Sequence, residues 1–170
     1  RMGISIAAKA LEAATKKSFD RLASEKLFRP MGMKGSTFYK EKGGIDAVEG
    51  AVTTANDIMI FMQMLLGKGT INGKKILSEA SVEELRKIPF PNAKLRFKPE
   101  LEKNNEAGLI TWIEEKDASG KAMVISQGLS GTIAWMDFKN NTCAVIFLKD
   151  GEGDKKGNLS RELKKILSGQ

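Results

Sequence analysis

The stretch Ile125-Ser126-Gln127-Gly128-Leu129-Ser130-Gly131-Thr132-Ile133-Ala134-Trp135-Met136-Asp137 closes one short apolar run and opens another. Gly128, Ser130 and Gly131 part the two runs with residues small enough for a backbone to come close to a bound group, which reads as two strands meeting at a tight, accessible edge. A strand that stops at such a place exposes unpaired N–H donors, suited to holding a substrate oxygen. The chain has no histidine. It also has no Ser-x-x-Lys that would supply an activated nucleophile beside the step. The residues therefore describe half of an active site.

Around this step, four strand-like runs follow Gly108: Leu109 to Glu115, Ala122 to Ser126, Thr132 to Phe138 and Thr142 to Leu148. Asp117-Ala118-Ser119-Gly120, the Gly128 to Gly131 step and Lys139-Asn140-Asn141 separate them as hairpin connections, so the sheet is expected to be antiparallel. A last helix, with Leu159, Leu163, Ile166 and Leu167 on one side, is expected to cover one sheet face.

Upstream the period changes to that of helices. Ile4, Ala7, Ala8 and Leu11 share one face, and Phe19, Leu22, Ala23, Lys26 and Leu27 repeat the spacing. Ser18 is placed to cap this second helix, and Pro30 is expected to end it at about Arg29. Pro30-Met31-Gly32-Met33 turns into Thr37-Phe38-Tyr39, and Gly43-Gly44 marks an irregular loop. Thr54-Ala55-Asn56-Asp57 has the form of a capping box, with Ile58, Phe61, Met62, Leu65 and Leu66 behind it at helical spacing. Gly67-Lys68-Gly69 stops that helix, Asn72-Gly73 signals a small hairpin, and Ser78 or Ser81 opens a short helix through Leu85. Pro89 to Glu106 reads as a long surface connection. Helices first and a sheet afterwards give an α+β fold in one domain over 1–170, mainly helical over 1–106, with the sheet and last helix over 107–170.

Composition narrows the partners. With 170 residues, 41% hydrophobic and 29% charged, the chain can bury a sizeable core. No apolar run reaches the length of a membrane span, and the N-terminus lacks the layout of a signal peptide. The net charge of +7 is spread as pairs such as Lys16-Lys17, Lys74-Lys75 and Lys155-Lys156, a pattern that a solvated surface explains. Nucleic-acid binding would need aromatics interleaved with the basic residues, and the chain has one tyrosine. Cys143, alone in an apolar strand, reads as a small core residue. No cofactor or metal is expected: transition-metal ligands are lacking, and in Asp150-Gly151-Glu152-Gly153-Asp154 a calcium loop fails at Lys155 and Arg161. Met59, Met62 and Met64 fill core space, Trp135 packs in a strand, and Trp112 stays open between packing and stacking on a ligand. Taken by itself, Gly128 to Gly131 would be a hairpin turn.

In order, several segments resemble the serine β-lactamase-like family of class C β-lactamases, penicillin-binding proteins and related esterases. They are Leu27-Phe28-Arg29-Pro30-Met31-Gly32-Met33, Gly50-Ala51-Val52-Thr53-Thr54-Ala55-Asn56-Asp57, Met64-Leu65-Leu66-Gly67-Lys68-Gly69, Gly108-Leu109 with Trp112, and the Ser126 to Asp137 stretch. Over nearly its whole length the chain looks like the C-terminal part of such a β-lactamase/transpeptidase-like fold. In that family a Ser-x-x-Lys carries the nucleophile and a Tyr-x-Asn type motif assists proton transfer. A third motif, commonly Lys-Thr-Gly or His-x-Gly, lies on the sheet edge.

By this resemblance the third motif falls on Ser126-Gln127-Gly128, and the Leu129 amide supplies an oxyanion-hole donor. These four residues are the expected substrate-binding set, with no catalytic residue inside the chain. The expectation is that the nucleophile, lysine and tyrosine lie before Arg1, in an N-terminal portion that completes the fold. Ser126 stands where the family has a basic residue, which favours an ester or amide, from a small-molecule or peptide-like acyl substrate, over an anionic lactam. The alternative is a non-catalytic ligand-binding or interaction module. A fragment standing alone would expose its sheet edge to pairing with another copy. Only the resemblance points to a periplasmic or secreted setting.

Overall fold

The computed structural model describes residues 2–41, 44–91, 105–109, 111–116, 122–127 and 132–148, together with 159, 162, 165 and 166. They form two compact units, the first of residues 1–64 and 70–76, the second of 65–69 and 77–170.

The first unit opens with α1 (Met2–Thr15). The next helical run is α2 (Phe19–Ala23), a π-helical turn over Ser24–Phe28, and α3 (Arg29–Met31). It thus continues past Arg29, the end expected from Pro30. The Arg29 amide bonds back five residues to the Ser24 carbonyl, and the Met33 amide to the Phe28 carbonyl. Widening the turn accommodates a ring that would clash with the carbonyl four residues back in a regular helix. The run stops at Gly32, whose φ of 78° is left-handed.

Ser18 does occupy the N-cap, but its side chain makes no cap hydrogen bond. The Phe19 amide donates instead to Glu12 Oε1 at 2.8 Å. Phe38 joins the helical run to the segment after it, with ring centroids 5.1 Å from Phe19, edge on, and 6.1 Å from Phe28, stacked.

Short strands follow: β1 (Thr37–Phe38), β2 (Lys40–Glu41), β3 (Gly44–Ile45) and β4 (Ala51–Val52). β1 pairs antiparallel with β4, and β2 with β3, so the segment around Gly44, read from sequence as an irregular loop, is a small hairpin. α4 (Ala55–Leu66) starts where the capping box predicts, with Met62 and Met64 among its fully buried side chains. β5 (Thr70–Ile71) and β6 (Lys74–Lys75) pair across Asn72 (φ 49°) and Gly73 (φ 73°), the two positive-φ residues a tight two-residue hairpin requires.

In the second unit, α5 (Glu79–Leu85) is capped by Ser78 Oγ, which accepts from the Ser81 amide at 3.0 Å. The sheet has five strands rather than four: β7 (Glu106–Ala107), β8 (Trp112–Lys116), β9 (Ala122–Gln127), β10 (Thr132–Asp137) and β11 (Thr142–Phe147). They are all antiparallel, in the spatial order β11-β10-β9-β8-β7. β7 corrects the reading of Pro89 to Glu106 as connection up to its last residue; residues 92–104 lie outside those described.

Leu109 and Thr111 lie outside β8, in bends rather than strand. The Gly108 amide donates to the Thr111 carbonyl at 2.9 Å, and Thr111 Oγ1 donates to the Leu85 carbonyl at 3.3 Å. Ile133, Trp135 and Met136 are buried along β10, Trp135 as packing predicts. Of the last helix, residues 159, 162, 165 and 166 are helical, with Leu159 and Ile166 exposed; Leu163 and Leu167 lie outside the described residues.

Candidate active site

Sequence reading put the candidate site at the end of β9, whose described residues have a defined backbone register. β9 is the middle strand of the sheet, not an outer edge. On one side it is paired to its end, Ser126 with Ala134 and Gln127 with Ile133 of β10. On the other side β8 begins with Trp112 opposite Ile125, so Ser126 and Gln127 run past it. Among the described residues, Ser126 and Gln127 have no partner on that side. Thr111, just before β8, bonds through its hydroxyl to the Leu85 carbonyl at the end of α5. Trp112 and Trp135 stand at the two register positions flanking Ile125, a cross-strand set that fixes the strand just before it opens. A shift of register between Ile113 and Glu115 further twists β8.

Of the four expected substrate-binding residues, Ser126 and Gln127 have a placed backbone, paired on the β10 side and without a β8 partner among the described residues. Gly128 and Leu129 lie outside the described residues. Backbone donors on the open side can face an incoming carbonyl oxygen without any particular side chain.

A second polar centre, in the first unit, was not legible in the sequence. Asp57 is 5% exposed. Its Oδ2 accepts from the Gly35 amide at 2.8 Å and from Ser36 Oγ at 2.7 Å. Ser36 Oγ also lies 2.7 Å from Thr53 Oγ1. Because the carboxylate can only accept, Ser36 donates to it, and Thr53 must donate to Ser36. The capping box is therefore half made: Thr54 Oγ1 accepts from the Asp57 amide at 3.2 Å, while the Asp57 carboxylate turns away to Gly35 and Ser36. Gly35 is needed here, because a Cβ on it would lie 2.7 Å from Thr54 Cγ2.

Beside Ser36 lies a cavity of about 480 Å³, walled by Asp20, Arg21, Glu25 and Arg29 from one helical run and by Ser36 and Thr37 opposite. Glu25 is held by Lys17 at 2.6 Å and Arg21 at 2.7 Å. Hydrogen bonds from Lys17 and then Arg21 lower its carboxyl to about 2. Asp20 is also held below its ordinary value, chiefly by a hydrogen bond from the Ser18 side chain, against the opposing effect of burial. Its Oδ2 lies 3.4 Å from Lys40 Nζ, while Oδ1 is buried without a partner.

Among the described residues no group of three or more His, Cys, Asp or Glu side chains is placed to hold a metal ion. Cys143 is partly buried, and burial pushes its thiol up.

A β-lactamase family model matches residues 1–167, so the chain belongs to that family. No curated protein matches the sequence. Three solved structures carry the same fold at low identity. A β-lactamase from Mycobacterium bovis is 19% identical with a TM-score of 0.77, over 98% of this chain and 61% of that one. An octameric penicillin-binding protein homologue from Pyrococcus abyssi is 16% identical with a TM-score of 0.74, over 99% of this chain and 42% of that one. A D-amino acid amidase from Ochrobactrum anthropi is 16% identical with a TM-score of 0.64, over 98% of this chain and 57% of that one. The chain thus spans roughly half the length of these relatives. It carries the mixed helix and antiparallel-sheet architecture of the β-lactamase/transpeptidase fold, in a family of hydrolases. Among the described residues no helix is long and apolar enough to cross a membrane.

Proposed function

We propose that residues 1–170 are the C-terminal part of one serine hydrolase domain, acting on an ester, amide or lactam through an acyl-serine whose nucleophile lies outside this chain. The observation that carries this reading is the opening of β9: Ser126 and Gln127 extend past β8 immediately before Gly128. Ser126, Gln127 and Gly128 form one wall of the acyl site, and the Leu129 amide donates to the carbonyl oxygen as it gains charge. The serine, lysine and tyrosine come from an N-terminal portion of the same protein, since this chain holds neither a Ser-x-x-Lys nor a histidine. Ser126 offers a hydroxyl where a basic residue would recognise a carboxylate, so neutral esters and amides, from small-molecule or peptide-like donors, suit the wall better than an anionic lactam. The amidase among the similar structures agrees with that choice.

The same substitution is what favours the second reading, a ligand-binding or interaction module on the hydrolase fold. As to assembly, the octameric relative makes association of several copies, through an exposed sheet edge, part of the proposal. The discriminating experiment is p-nitrophenyl ester hydrolysis by the full-length protein and its Ser126→Ala variant. Turnover that falls about tenfold in the variant, the scale of one lost hydrogen bond, supports the acyl-site reading. Absence of turnover from a folded full-length protein supports the module.

A further inference from the structure

Trp112 is the first residue of β8 and lies opposite Ile125, the residue before Ser126. Cross-strand partners share a sheet face, so Trp112, Ile125 and Trp135 stand on one face, and Gln127 with Ile133 is the next pair along it. Among the described residues β8 offers Gln127 no partner. Trp112 is instead its diagonal neighbour, a register position roughly 7–8 Å away and within reach of an aromatic side chain.

The two tryptophans of this row differ in what surrounds them. Trp135 and Ile133, both from β10, are each 3% exposed, and core packing accounts for them. Trp112 is only half-buried, and its indole N–H makes no hydrogen bond among the described residues. A tryptophan set in a core ordinarily finds a partner for that donor. Nor does β8 depend on this ring for its anchorage, since Ile113, on the opposite face, is 2% exposed. Part of a large apolar ring therefore stays accessible on the face of the sheet that continues to Gln127.

We propose that Trp112 is a specificity-determining residue of the acyl site, its indole stacking on a flat apolar group carried by the ester or amide substrate. The assignment rests on the acyl-site reading of β9. An aromatic pair contributes up to about tenfold in affinity beyond the area it buries.

The test is hydrolysis of ethyl acetate, ethyl phenylacetate and benzyl acetate by the full-length protein, followed by proton release, in the parent, Trp112→Phe and Trp112→Leu. The kcat/KM ratio of one ring-bearing ester to ethyl acetate is expected to fall about fivefold in Trp112→Leu and to change less than about twofold in Trp112→Phe. Ethyl phenylacetate responds if the ring lies on the acyl side, benzyl acetate if it lies on the alcohol side. Ratios that do not move in Trp112→Leu, or an equal fall for all three esters, overturn the assignment while leaving the acyl site in place. No turnover of any ester by a folded parent overturns the acyl-site reading and the assignment with it. If Trp112→Leu does not fold, the unsubstituted full-length protein labelled with fluorotryptophan decides. The fluorine resonance that Trp112→Phe removes should shift saturably with phenylacetamide or with N-benzylacetamide, and a shift with neither overturns the assignment.

Discussion

Ser36 Oγ donates to Asp57 Oδ2 at 2.7 Å across 21 residues of sequence, tying the segment after α3 to the first turn of α4. The same oxygen accepts from the Gly35 amide at 2.8 Å, and Asp57 is 5% exposed. Two hydrogen bonds to one buried carboxylate oxygen are charge-assisted, and each is stronger than a neutral pair. Asp57→Ala, which leaves Gly35 N–H and Ser36 O–H without their acceptor, is expected to cost about 3 kcal/mol, and Ser36→Ala about 1.5 kcal/mol. Urea unfolding of the two single variants and the double variant measures this. The double variant should cost less than the sum, and strict additivity would show that the bond contributes nothing.

The carboxyl of Glu25, lowered to about 2 by Lys17 and then Arg21, ties stability to acid pH. A group whose folded value lies below its unfolded value stabilises above the unfolded one, here near 4.5, and the contribution is lost as pH falls toward 2. Carbon-detected titration of Glu25 should give a midpoint near 2 in the parent and a clearly higher one in Lys17→Ala. A midpoint that stays at the ordinary glutamate value in the parent contradicts the pairing.

Arg86 lies with its guanidinium carbon 4.5 Å above the Phe138 ring and donates to both oxygens of Glu83, with its side chain 12% exposed. A lysine keeps the charge but not the planar stacking or the forked donors. Arg86→Lys should therefore lower stability by about 1 kcal/mol, and Arg86→Ala by about 2 kcal/mol because packing against the ring is lost as well. Thermal melts of both variants decide it. Equal melting temperatures for parent and lysine variant would mean that charge alone matters there.

Asp137, 6% exposed, ends β10 by accepting from the amides of Lys139 and Asn140 at 2.8 and 3.0 Å, with Asn140 Nδ2 on its other oxygen at 2.6 Å. The carboxylate does the work of a turn, and Asn141 at φ 53° completes it. Asp137→Ala is expected to cost about 2 kcal/mol. Amide exchange at Thr142 and Cys143 should speed up more than exchange in α5. A uniform change across the second unit would argue against a local role.

Helices α4 and α5 were legible because their signals are local: apolar spacing and a serine or threonine cap, with Gly67 beyond the end of α4. The Asn72-Gly73 hairpin was legible for the same reason. Pro30 misled because its usual effect, ending a helix, was evaded by a π turn that only the next bonds reveal. β7 was missed because two residues carry no period, and its existence depends on pairing with β8. The partners of Asp57 were missed because Gly35 and Ser36 are distant in sequence and nothing in a capping-box pattern says where the acid will turn. At the candidate site, the strand ending at Ser126 and Gln127 was visible in composition. Its place in the middle strand of the sheet was not, since that depends on the pairing with β8 and β10.

The position of the acylated serine separates a hydrolase completed by an N-terminal portion from a binding module. The full-length protein should be labelled with a serine-reactive fluorophosphonate, digested, and the adduct located by mass spectrometry. The expected result is one adduct on a serine outside residues 1–170, with labelling slowed in Ser126→Ala. An adduct on a serine within 1–170, or no adduct on a folded full-length protein, would contradict it.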